Sequence, residues 1–189
     1  LHYRIAETLF CKSFDAEDLS RSDLSADAKK GEIGIGIKTF RNGNSKSFQK
    51  VAEFNKSVLG NQPSPQKIAE LRNRRIDATE IAHGLKQSIY HCVLRESNRF
   101  KIFEEPMHKI NVSSIHNINF NKGAIHFEDS KEQYSYSLSK STLFKRFNTE
   151  AIIEEFEVSI IKNPLDELKN LLSSNRFLSV PYPLKTIYL

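Results

Sequence analysis

Apolar residues near the start of the chain recur at helical spacing. Ile5, Leu9 and Phe10 form a stripe with Ala6 and Phe14 alongside, which predicts a helix over His2–Phe14 that also carries Glu7. A polar, acidic stretch follows to Asp23. From Leu24 to Phe40 the pattern becomes extended, and Lys30-Gly31 reads as a tight reversal, so this segment is expected to be a hairpin. In its second strand Ile33, Ile35 and Ile37 alternate with Gly34, Gly36 and Lys38. A period of two puts the isoleucines on one face and the glycines with Lys38 on the other.

Beyond the Asn42-Gly43 turn, a helix from Phe48 to about Leu59 is expected, capped by Ser45 or Ser47 and carrying Gln49 and Glu53 one turn apart on the same face. The segment GNQPSPQ, Gly60 to Gln66, breaks the pattern. A long helix from Lys67 to about Glu96 is expected next, with Ile81, Leu85, Ile89 and Cys92 on its buried stripe. From Arg99 onward, alternating segments around 100–103, 112–120, 124–128 and 133–138 predict a run of antiparallel strands. Leu143–Phe147 is expected to turn helical, Glu155–Ile161 to be a strand and Pro164–Leu172 a helix. Phe177–Leu189 is expected to be extended, without cap or polar finish, as though leading into a further domain after 189.

The 189 residues suit one domain, with 39% hydrophobic and 27% charged residues, so a core can form without covalent staples. Cys11 and Cys92 lie among apolar residues without CxxC spacing, which favours buried free thiols over a disulfide or zinc site. No apolar run approaches membrane-spanning length and no signal peptide is visible, so a cytoplasmic protein is expected. The net charge of +5 and pI near 9.1 are compatible with nucleic acid without requiring it.

The strand face that carries Lys38 raises a chemical question. Two glycines weaken a strand unless something must approach it closely. A packed neighbour answers that, and so does a nucleic-acid backbone. Phosphodiester cleavage with Mg2+ needs hard oxygen ligands and a cation to position or activate water. Asp27, ending one strand of the hairpin, offers the first ligand and Lys38 the cation. Glu32 shares the lysine's face, but six strand residues separate them, roughly 20 Å, too far for a common metal.

Asp27 and the block GIGIKTF, Gly34 to Phe40, resemble the PD-(D/E)xK nuclease superfamily, most closely its type II restriction endonucleases. The helix bearing Glu7 and the segment QKVAEF, Gln49 to Phe54, add to the resemblance. The usual acid two residues before the lysine is replaced by Gly36. In some members that acid has moved to the following helix, and Glu53 falls at such a position. The resemblance implies an α/β fold with a mixed β-sheet flanked by helices, and Mg2+ held by Asp27 and Glu53. It further implies a water positioned by Lys38, support from Gln49 and Glu7, and cleavage of double-stranded DNA by a homodimer. The alternative is a catalytically inactive, nuclease-like DNA-binding or effector module.

For DNA contact the sequence offers a hydroxyl-rich basic segment, Ser139, Lys140, Ser141, Thr142, Lys145 and Arg146. The pattern places it at a strand-to-helix junction, where hydroxyls, a helix N-terminus and cations suit phosphate oxygens. Arg72 and Arg75 are further candidates along the backbone path.

Overall fold

A computed structural model of the chain describes residues 2–20, 24–41, 47–60, 63–159 and 161–173. The first helix, α1 (His2–Phe14), forms where its stripe predicts. It lays Ala6, Phe10 and Cys11 on Ala28, Ile35 and Ile37 of a sheet. The hairpin is also present: β2 (Ala28–Lys30) turns through Gly31, at φ 57°, into β3 (Ile33–Arg41). A two-residue strand, β1 (Glu17–Asp18), pairs outside β2.

The chain then leaves this sheet. β4 (Phe48–Glu53) belongs to a second sheet and is followed by the short α2 (Lys56–Leu59). α3 (Pro65–His83) brings the chain back to β5 (Gln87–Arg95), which runs parallel to β3 with Lys38 opposite Cys92. A parallel neighbour requires such a crossover. β6 (Arg99–Pro106) returns antiparallel, and after a single 3-10 turn at Val112–Ser114 the antiparallel strands β7 (His116–Asn121), β8 (Ala124–Glu128), β9 (Gln133–Ser137) and β10 (Thr142–Arg146) follow. β11 (Glu154–Glu157) rejoins the first sheet beside β6, and α4 (Pro164–Ser173) comes last among the described residues.

The fold is therefore mixed α/β with two sheets. The first is mixed, in the order β1-β2-β3-β5-β6-β11; the second is antiparallel, in the order β4-β10-β9-β8-β7. Ile68 and Ala69 of α3 pack with Ile125, Phe127, Tyr136 and Leu143 of the second sheet. Ile76, farther along the helix, packs with Phe40, Tyr90, Cys92 and Phe103 of the first. One helix thus buries apolar surface from both sheets. Both cysteines are buried free thiols.

Three expected helices are corrected. Phe48–Glu53 is a strand because β10 supplies a complete ladder partner from Thr142 to Arg146, which outweighs the modest helix preference of Gln, Lys, Ala and Glu. Leu143–Phe147 is largely strand for the same reason, seen from the other side. The long helix stops at Gly84, whose φ of 60° makes a left-handed cap, while Ser64 and Pro65 open it. Ile89 and Cys92 then belong to β5, and Ile81, expected to be buried, is 82% exposed. The extended reading of Phe177–Leu189 lies outside the described residues.

The glycines of β3 serve packing. A Cβ at Gly34 would lie 2.7 Å from Leu85 Cδ1, and one at Gly36 would lie 2.9 Å from Met107 Cε and 3.0 Å from the Tyr90 ring. Neighbouring side chains occupy the space that a nucleic-acid backbone was considered to need. Among the described residues no helix is long and apolar enough to cross a membrane.

Candidate functional site

The hairpin sets the geometry around Asp27. Its amide donates to Ile35 O at 2.8 Å, and its Oδ2 accepts from the Ile37 amide at 2.7 Å. The carboxylate is thereby fixed beside the middle of β3, with Lys38 Nζ 3.7 Å from the same Oδ2. Both side chains are about three-quarters buried. Lys38 also sits 5.8 Å from the centre of the Tyr90 ring.

Glu7 approaches from α1. It is 8% exposed, and none of the hydrogen bonds formed among the described residues ends on its carboxylate. Burial pushes its pKa up, and the Asp27 charge pushes the same way, while Lys38 opposes both. A carboxyl whose pKa is higher folded than unfolded favours the folded state only while protonated. Its contribution is complete below the ordinary carboxylate range and is lost as pH rises through the raised value. Glu7 therefore costs stability at neutral pH. Replacing Glu7 by Gln should raise the melting temperature at pH 7–8 by roughly 2–4 °C without divalent ions. The gain should vanish toward pH 4, and calorimetric melts across that range check it.

Glu7, Asp27 and Lys38 open into a cleft of about 700 Å3 whose other wall is β4 and the start of the next segment, with Gln49, Glu53 and Asn55, together with Arg75. The five residues expected to act together do line one cleft, but they are not equivalent. The register between β4 and β10 shifts at Val51, so Lys50 and Glu53 fall on one side, opposite Phe144 and Thr142. Lys50 accordingly forms an ion pair with Glu53, both side chains 57% exposed. Gln49 sits opposite Lys145, on the other face of the strand, not one helical turn from Glu53. Arg75 Nη1 donates to the Glu53 carbonyl at 2.8 Å, tying α3 to this strand.

Glu32 points elsewhere, pairing with Lys86 at 2.7 Å. The charges of Asp27 and Lys38 both act on Glu7. Among the described residues no group of three or more His, Cys, Asp or Glu is arranged to hold a metal. Two carboxylates are nonetheless enough for Mg2+, which takes one or two from the protein and completes its octahedron with water and substrate phosphate. A carboxylate that lines the cleft beside a second one, as Glu7 does with Asp27, fits that ion. Glu7 and Asp27 would hold it.

The expected DNA-contact residues divide. Arg72 is buried, donating to Ser25 Oγ at 2.8 Å and to Tyr90 Oη at 2.6 Å. The Ser25 amide in turn donates to Thr79 Oγ1 at 3.0 Å. Arg72 braces the segment before Asp27 and has no path to DNA. Lys145 is also buried, between Glu105 and Glu132, and is corrected likewise. Ser141 and Thr142 are buried at a β-hairpin turn, with Ser141 at φ 49°, so no helix N-terminus exists there. Ser139, Lys140 and Arg146 remain exposed.

Sequence reasoning missed Ser25 and Tyr90, which orient the site through Arg72. Ser25, two residues before Asp27, carries no pattern, and Tyr90 falls within the segment whose apolar spacing reads as helix. Comparison with protein-family models, curated proteins and solved structures finds no match to this chain.

Proposed function

We propose that the protein is a Mg2+-dependent endonuclease that hydrolyses phosphodiester bonds of double-stranded DNA, a restriction-type member of the PD-(D/E)xK superfamily. The observation that carries this reading is the convergence of Glu7, Asp27 and Lys38 on one open cleft, with Asp27 locked by the Ile37 amide. In this reading Glu7 and Asp27 bind the ion, so that α1, rather than the segment after the lysine, supplies the second acid. Mg2+ supplies Lewis-acid charge stabilisation at the phosphate. Lys38, a three-donor cation next to Asp27, orients the attacking water and offsets charge growing on the phosphate. Arg75 and Lys50, across the cleft, meet the strand's backbone. A cytoplasmic homodimer matching two-fold DNA sites belongs to the same proposal.

Cleavage of supercoiled plasmid in Mg2+ tests it. Asp27→Asn should abolish nicking. Glu53→Ala should leave the rate within about threefold, because in this reading Glu7 and Asp27 hold the ion. A rate loss in Glu53→Ala as large as in Asp27→Asn would return the second acid to β4.

A second reading, an inactive nuclease-like DNA-binding module, is favoured by one feature: Met107 and Tyr90 fill the space at Gly36 where the usual acid would stand. Duplex binding by the wild type with no cleavage in either Mg2+ or Mn2+ would establish it.

A further inference from the structure

On the face of the first sheet that carries Ile37, His91 and Val93, a second cavity of about 210 Å3 lies under α1. Its walls are apolar, with Ile5, Leu9, Phe10, Phe100 and Phe156 among them. Two features separate it from an ordinary packing gap. Leu9 and Phe14 at its rim are 39% and 54% exposed, so it opens to solvent. And Arg95 is the one Lys or Arg among the described residues on this otherwise apolar wall.

A guanidinium on an apolar wall pairs best with an anion, through charge-assisted and often bidentate hydrogen bonds. Among the described residues no Asp or Glu lines this cavity, and the only other ionisable side chain on its wall, His91, is engaged with Glu104 at 3.0 Å. The pocket thus offers a greasy body site and an arginine without a counter-charge. We propose that it is a binding site for a small apolar carboxylate of about ten non-hydrogen atoms, its carboxylate accepting from Arg95 and its hydrocarbon body lying against Leu9, Phe10 and Phe100. The size follows from scale: a cavity of about 150 Å3 lined by apolar side chains takes a benzene ring. The inference does not depend on the nuclease reading. The two sites are nevertheless neighbours, since Ile37 and Thr39 line both the pocket and the cleft and α1 carries Glu7 to the latter.

Octanoate and hydrocinnamate serve as probes for chain-like and ring-bearing bodies, with octanol as the uncharged control, titrated calorimetrically into the full chain at pH 7.5. At least one acid should bind at least tenfold more tightly than octanol and raise the melting temperature. Arg95→Met, which keeps the apolar volume, should erase that preference by weakening the acid about tenfold or more while leaving octanol within about threefold. Leu9→Trp, filling the cavity from its rim, should abolish binding of acid and alcohol alike. The proposal is overturned if neither acid binds, if acid and alcohol bind equally to the wild type, or if Arg95→Met binds the acid as the wild type does. Retained binding in Leu9→Trp overturns it too, by placing the ligand elsewhere. So does a wild type that is dimeric in light scattering, binds neither acid and turns monomeric on Leu9→Trp, which would make the groove an interface between two copies.

Discussion

Lys38→Ala should lower the proposed Mg2+-dependent plasmid cleavage by roughly 10²–10⁴-fold, the range for loss of a positioned proton-transfer or charge-stabilising group. The variant should stay folded, because Asp27 keeps its hydrogen bond from the Ile37 amide and the hairpin ladder is untouched. Its affinity for the ion should move the opposite way. With the ammonium gone from 3.7 Å beside Asp27, Glu7 and Asp27 face each other with less compensation, and a divalent cation is bound more tightly. Single-turnover cleavage and Mg2+ titration monitored by melting temperature measure the two effects. A structural lysine would show a falling melting temperature and no gain in ion affinity. Unchanged cleavage in Lys38→Ala would remove Lys38 from the chemistry.

The largest effect on stability is expected at Lys145. Its ammonium, 4% exposed, is held by Glu105 of β6, by Glu132 at 2.9 Å and by the Arg146 carbonyl at 3.0 Å, and lies 4.4 Å from the centre of the Phe147 ring. This cluster joins the first sheet to the second, the same two sheets whose strands β3 and β4 wall the cleft. Lys145→Met removes the cation and leaves two buried carboxylates facing each other, at a cost of roughly 3–5 kcal/mol. For a chain of this length that is a fall of roughly 6–20 °C in melting temperature. The loss should depend on pH. Burial already pushes the Glu132 pKa up, against the pull of Lys145. Without Lys145 it rises further, so the stability that protonation provides below the ordinary carboxylate range is forfeited more steeply as pH increases. The variant should therefore lie closest to wild type near pH 4–5 and farthest above pH 7. A flat difference across that window would mean that the pair is solvated and weak.

The two sites differ in how far the chain announced them. Asp27, the Gly31 turn and Lys38 are close in sequence, and their relation follows from hairpin geometry, which is local. The α1 stripe and the alternating strands from Arg99 were legible for the same reason: each is set by the period of apolar residues within one segment. Segments whose local preference is weak were misread. QKVAEF and LFKRF contain good helix formers, and each is a strand because the other offers it a ladder. The isoleucine and cysteine of SIYHCV looked like a continuing helical stripe until Gly84 adopted a left-handed conformation and released the chain into β5.

What the sequence by itself determined is the chemistry at hand: a hairpin presenting an acid and a lysine, a helix bearing Glu7, two thiols without partners and a mildly basic balance. Only the tertiary structure shows how the candidate second acids are placed around them. Glu7 and Glu53 are both plausible carboxylates in one dimension, yet a bulge in β4 gives Glu53 to Lys50, while packing of α1 on the isoleucine face brings Glu7 to Asp27. The fates of Arg72 and Lys145 were decided in the same way. Side-chain charge is written in the chain, but whether that charge meets solvent, a partner or a ligand depends on which distant segments close around it.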